Sequence, residues 1–136
     1  MSSDEIDLAL VLCRLEELSA TGCREFRLGG GEWPLKGFVI RVGVGDAAGG
    51  AEVRAYVNRC PHRALSLNLQ PDRFLSHDES VIICCMHGAI FEKATGFCVA
   101  GPCVGRSLAQ LPVRVVDDFV LLAAGTKPVD LVARYA

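Results

Sequence analysis

Two short runs in this chain combine a thiol with an imidazole, Cys60-Pro61-His62 and Cys84-Cys85-Met86-His87. They form Cys-x-His, an interval of 21 residues and then Cys-x-x-His, and they use two of the three histidines present. Each run offers one soft thiolate and one imidazole, ligands that suit zinc or an iron–sulfur centre. A tetrahedral site of two cysteines and two histidines is the zinc reading. The alternative is a binuclear iron–sulfur centre with imidazoles in place of thiolates on one iron. The two runs then divide their ligands, Cys60 and Cys84 on one iron, His62 and His87 on the other. With only two thiolates that centre is formally neutral when oxidised and gains a single negative charge on reduction, less than a four-thiolate site accumulates. The second ring nitrogen of a metal-bound imidazole stays available for a hydrogen bond or a proton.

The remaining chemistry-bearing residues read more plainly. Cys85 adjoins a candidate ligand, but side chains of neighbouring residues in an extended turn point apart, so it is a bystander. His77 stands among Asp72, Asp78 and Glu79 and reads as an exposed histidine. Cys98 and Cys103 flank Gly101-Pro102 and could meet as a disulfide or redox pair, although buried thiols are the ordinary state in a reducing compartment. Cys13 and Cys23 fall in strand-like stretches and read as packing residues. Trp33, beside Pro34, reads as a packing anchor. No catalytic side chains are expected. A mononuclear iron held by two histidines and a carboxylate fails by counting, because only His77 is left after the two pairs.

These ligands need loops that a rigid scaffold holds still. Short runs rich in branched and aromatic residues predict strands at Leu8–Leu15, Arg24–Leu28, Gly37–Val44, Val53–Asn58, Val81–Cys84, Val113–Val116 and Phe119–Ala123. Glycines at 29–31 and 45–50 read as hairpin connections, and a helical turn is expected only at Glu16–Ala20. Gly43-Val44-Gly45-Asp46-Ala47-Ala48 imitates a dinucleotide fingerprint but leads into another strand rather than a helix, so it reads as a turn. The expectation is an all-β, antiparallel single domain over residues 1–136, with a cluster-binding subdomain of two loops at about 58–105. The stretch Gln70 to Ser80 reads as a surface excursion.

Composition limits the alternatives. With 136 residues, 51% hydrophobic and 22% charged, the chain suits one packed core. A formal charge of −2 provides no basic field for nucleic acid. No run of eighteen apolar residues occurs, and Leu8 to Cys13 follows Asp4, Glu5 and Asp7 rather than basic residues, so neither a membrane span nor a signal peptide is expected. Seven cysteines, an odd number, in a chain expected to be cytoplasmic suit metal ligation and burial better than a disulfide framework.

The two pairs, followed by Gly88, Phe91, Gly96 and Gly101-Pro102, resemble the Rieske [2Fe-2S] proteins, most closely the small soluble Rieske-type ferredoxins. The resemblance covers roughly the middle third of the chain. It implies stacked small sheets or a partial barrel, one [2Fe-2S] cluster per chain on Cys60, His62, Cys84 and His87, and a proline loop at Gly101-Pro102 that screens the cluster from water. It departs from many relatives at Ala64, where they carry glycine, and in a longer interval before Cys84. Relatives that oxidise quinols carry an extra disulfide between the cluster loops, at positions that here hold Leu65 and Met86. They also place serine and tyrosine hydroxyls where Ala89 and Phe91 stand. Without those hydrogen bonds to sulfur the reduced state is less stabilised, and the expected potential lies on the order of −150 mV rather than about +300 mV. The implied role is a soluble one-electron carrier between a flavin reductase and a terminal oxygenase. A small subunit or docking domain of a larger redox enzyme, similar to that of assimilatory nitrite reductase, is the second reading, a redox or iron sensor the third, and a structural zinc module the fourth.

Overall fold

The computed structural model describes residues 10–19, 21–29, 35–43, 52–59, 67–68, 72–76, 80–84 and 88–135. Its centre is a four-stranded antiparallel sheet in the order β2-β3-β4-β8, made of β2 (Cys23–Leu28), β3 (Leu35–Gly43), β4 (Glu52–Val57) and β8 (Gln110–Leu111). Successive side chains of a strand point to opposite faces, and β2, β3 and β4 place apolar residues on both. Pairing runs from Cys23 opposite Ile40 to Leu28 opposite Leu35, and from Gly37 opposite Val57 to Arg41 opposite Val53. Gly37 is required by its partner. A Cβ there would lie 2.4 Å from the Phe26 ring, which covers that position.

Two three-stranded antiparallel sheets complete the β structure. One has the order β1-β10-β9, from β1 (Val11–Arg14), β9 (Val113–Val116) and β10 (Phe119–Leu122). The other has the order β5-β6-β7, from β5 (Val81–Ile83), β6 (Ile90–Glu92) and β7 (Cys98–Ala100). A 3-10 turn, Leu15–Leu18, follows β1, and one helix, α1 (Pro128–Tyr135), ends the described chain.

The alternation along the central sheet separates two cores. Phe26, Leu28, Leu35, Val39, Val53, Ala55 and Val57 pack with Val120, Leu121 and Leu122 of β10 on one side. Cys23, Phe38, Ile40 and Tyr56 pack with Ile82, Cys84, Phe91 and Cys98 on the other. The expected antiparallel all-β class is the observed one, and each expected strand overlaps an observed strand.

The differences have physical causes. β6, β7 and β8 have only two or three residues, too few for alternation to register; their hydrogen-bonding partners make them strands. Part of the stretch from Gln70 to Ser80 is built into the protein rather than being a surface excursion. Phe74 is buried and stacks on Phe38 with ring centroids 4.0 Å apart, and Leu75 bridges to Ile82. Asp72, at φ +60, accepts the Glu25 N–H at 2.7 Å while its own N–H donates to the Glu25 carboxylate at 2.9 Å. The helix α1 was not expected either. It opens on Pro128, a residue suited to a first helical position, and lays Leu131, Val132 and Tyr135 against the first core. His77, Trp33 and the fingerprint-like residues 44–48 lie outside the described residues.

Candidate metal centre

Of the four expected ligands, Cys84 is described, and Cys60, His62 and His87 lie outside the described residues. What the structure gives in detail is the set of anchors from which their loops depart.

The first loop leaves β4 at Asn58, the one polar residue buried among those described, at 6% exposure. Its backbone N–H donates to the Lys36 carbonyl at 2.9 Å. Its side chain reaches across the loop: Oδ1 accepts the Leu67 N–H at 2.8 Å, and Nδ2 donates to Asn68 Oδ1 at 2.9 Å. The amide therefore joins the residue before the loop to the two residues after it. Residues 59–66, which include Cys60 and His62, are closed at their base by a side chain that no motif marks. The available signal was a lone polar residue at the end of a β-branched strand, two positions before a candidate ligand.

The second loop begins where β5 ends. Cys84 is fully buried in the second core. Its N–H donates to the Ala89 carbonyl, and its own carbonyl accepts the Gly88 N–H, each at 2.9 Å. Gly88 closes this turn at φ +73, a conformation open to glycine at little cost. Cys84 is thus fixed by its backbone at the start of this turn, and in the sequence His87 immediately precedes the closing glycine.

A third loop, between β7 and Leu108, leans on the second. Cys98 donates its N–H to the Arg106 carbonyl at 2.8 Å and accepts the Gly105 N–H at 3.3 Å, so the chain doubles back on itself. At its tip Gly101 has φ +98, and a Cβ there would lie 2.7 Å from the Ala89 Cα. The backbones touch because neither residue brings bulk to the contact. Ala89 and Phe91 are both fully buried beside this contact, and Phe91 pairs with Cys98. Ala89 and Phe91 are apolar, and neither carries a hydroxyl.

Tyr56 braces the same region. Its hydroxyl donates to the Lys93 carbonyl at 2.7 Å, and its ring fills the space that a Cβ on Gly96 would occupy. Burial pushes its hydroxyl up to about 12, with Arg54 opposing the shift, so it remains a protonated donor. Cys13 packs in the first core, where burial, reinforced by the Glu17 carboxylate, pushes its thiol up to about 12. Cys23 is buried in the second core. Both occupy the packing positions expected of them. Cys98 and Cys103 do meet, as buried thiols with their sulfurs 3.2 Å apart.

Three small antiparallel sheets carry one buried cysteine beside a glycine-closed turn, with the Gly101-Pro102 loop packed against that turn through Ala89. Residues 9–119 match the Rieske [2Fe-2S] domain family, and the chain belongs to that family. A chain in the complex of reduced oxygenase and oxidized ferredoxin in carbazole 1,9a-dioxygenase is 28% identical, with a TM-score of 0.57 over 84% of this chain and 100% of that one. The ferredoxin of Sphingomonas yanoikuyae B1 is 26% identical, with a TM-score of 0.59, covering 83% of this chain and 95% of that one. The fold also matches 30% of the terminal oxygenase of carbazole 1,9a-dioxygenase from Nocardioides aromaticivorans IC177, at 21% identity, a TM-score of 0.63 and 87% of this chain. No curated protein matches the chain. Among the described residues, no helix is long and apolar enough to cross a membrane.

Proposed function

We propose that this protein is a Rieske-type ferredoxin of the cytoplasm, a single domain over residues 1–136 that holds one [2Fe-2S] cluster through Cys60, His62, Cys84 and His87. When bound, the cluster supplies a one-electron acceptor and donor. The donor set suits it, with two thiolates and two imidazoles in the order Cys-x-His and Cys-x-x-His. The anchors suit it too: Asn58 closes the base of the first loop, and Cys84 is held by two backbone hydrogen bonds at the mouth of the second.

The chain's own residues bind and shield. Cys84 is delivered from the apolar core rather than from solvent. Gly101 brings the third loop onto Ala89 and closes that flank against water. Neither Ala89 nor Phe91 offers a hydroxyl to sulfur, which keeps the potential low and suits a carrier fed by a flavin reductase. The electron then passes to a terminal oxygenase. The observation that carries this role is the 28% identity to a chain of an oxygenase–ferredoxin complex, all of which this chain covers.

The test is electron paramagnetic resonance of the purified protein during stepwise reduction with dithionite, alongside metal analysis. A signal with average g below the free-electron value, appearing at a negative potential, is expected. Zinc in place of iron, with no signal after anaerobic cluster reconstitution, would overturn the reading. Stable co-purification with a large flavin or haem protein would replace the carrier role with that of a subunit.

A further inference from the structure

The role just proposed makes no use of Cys98 and Cys103. We propose that these two residues are a second redox site, a dithiol that closes reversibly to an intramolecular disulfide within the loop packed on the cluster-binding turn.

The sulfurs are already in contact. Cys103 donates its S–H toward the Cys98 sulfur at 3.2 Å, and Cys98 donates its own toward the Ala100 carbonyl at 3.1 Å. The backbone holds them there without help from a disulfide. Cys98 is fixed by its bonds to Gly105 and Arg106, while the Arg106 N–H donates to the Cys103 carbonyl at 3.0 Å. Both ends of the link are thus set by one doubled-back segment, with the sulfurs 3.2 Å apart.

The two thiols are both buried but differ in their surroundings. Cys98 is fully buried, whereas Cys103, at 2% exposure, lies between the exposed Pro102 and Val104. Cys103 is therefore the attacking thiol and Cys98 the resolving one. With a small disulfide as oxidant, the Cys103 thiolate attacks one of its sulfurs, forms a mixed disulfide and expels one thiol. Cys98 then attacks the Cys103 sulfur, the protein disulfide forms, and the second small thiol leaves. Two S–H bonds are lost, one S–S bond is gained, and two electrons and two protons pass to the oxidant, which ends as two thiols.

Only four residues separate the pair, so a closed link removes little freedom from the unfolded chain and is poorly explained as a stability device. Its location is informative. Gly101, inside the linked segment, rests on Ala89, whose carbonyl holds the Cys84 N–H. The state of the thiols therefore bears on the loop that carries a proposed ligand.

The test treats the cluster-loaded protein anaerobically with glutathione disulfide, quenches in acid, denatures and labels with a maleimide before peptide mass mapping. The expected result is loss of two of the seven cysteine thiols, a Cys98–Cys103 peptide link and full recovery on addition of dithiothreitol. C103S, with its fold checked by circular dichroism, should lose no intramolecular pair. Retention of all seven thiols, or a link through any other cysteine, overturns the inference. Thiol mapping is independent of the cluster's signal, so this inference and the ferredoxin reading fail separately.

Discussion

Asn58→Ala tests whether the first loop is held from its base. The substitution removes the bond from the Leu67 N–H and the bond to Asn68. Two hydrogen bonds at about 1 kcal/mol each, together with the exposure of the buried Leu67 N–H to an apolar wall, give a cost of about 2–4 kcal/mol. Against a total of about 5–15 kcal/mol for a domain, that is a large fraction. The damage is also local, because the clasp from Asn58 to Leu67 and Asn68, on either side of residues 59–66, is the contact removed. Two measurements separate these effects. Urea denaturation of the cluster-free variant gives the stability term, and the rate of iron release to a chelator from the loaded variant gives the loop term. Both should move, with stability down by about 2–4 kcal/mol and iron released faster. A variant within about 0.5 kcal/mol of the parent, the range of an uninvolved surface change, and holding iron as long, would refute the assignment of Asn58 as the clasp.

Three further outcomes are expected. Ala89→Ser and Phe91→Tyr each introduce a hydroxyl at a fully buried position beside the second loop, and each should raise the midpoint potential in a dithionite titration; an unchanged midpoint in both would remove the reason given for a low potential. Gly101→Ala places a Cβ 2.7 Å from the Ala89 Cα at φ +98, and strained backbone of this kind costs about 1–3 kcal/mol before the clash is counted, visible as a lower urea midpoint and earlier bleaching on heating. Tyr56 keeps its proton up to about pH 12 in the folded state but gives it up near 10 when unfolded. Its contribution is therefore complete below pH 10 and is lost as pH rises toward 12, by about 3 kcal/mol over that window. Urea midpoints measured across the range should flatten in Tyr56→Phe.

Chemistry was the most legible part of the sequence, because a cysteine and a histidine at fixed spacing announce themselves wherever they fall. The long strands were legible for a related reason: β2, β3 and β4 face a core on each side, and their branched and aromatic residues register in any window of six. β6 and β7 were not, since three residues such as Ile90-Phe91-Glu92 become a strand only through Ile82 and Cys98 on either side. Phe74 was misjudged with its charged neighbours, although a single phenylalanine among aspartates and arginine is enough to bury a loop when a ring is waiting for it, as Phe38 is. Asn58 escaped because its role joins positions ten residues apart, a relation that carries no local pattern.

The central sheet, apolar on both faces, bears on the order in which the protein is made. Among the described residues, the core beneath it draws on β1, β9, β10 and α1, while Cys84 lies in the core on the other face. A newly synthesised chain can complete that half and hold β3 and β4 in register, presenting Phe38, Ile40 and Tyr56 as a finished floor. The first candidate loop then leaves a strand that is already in register, and what remains is to pack β5, β6 and β7, with Cys84, onto that floor.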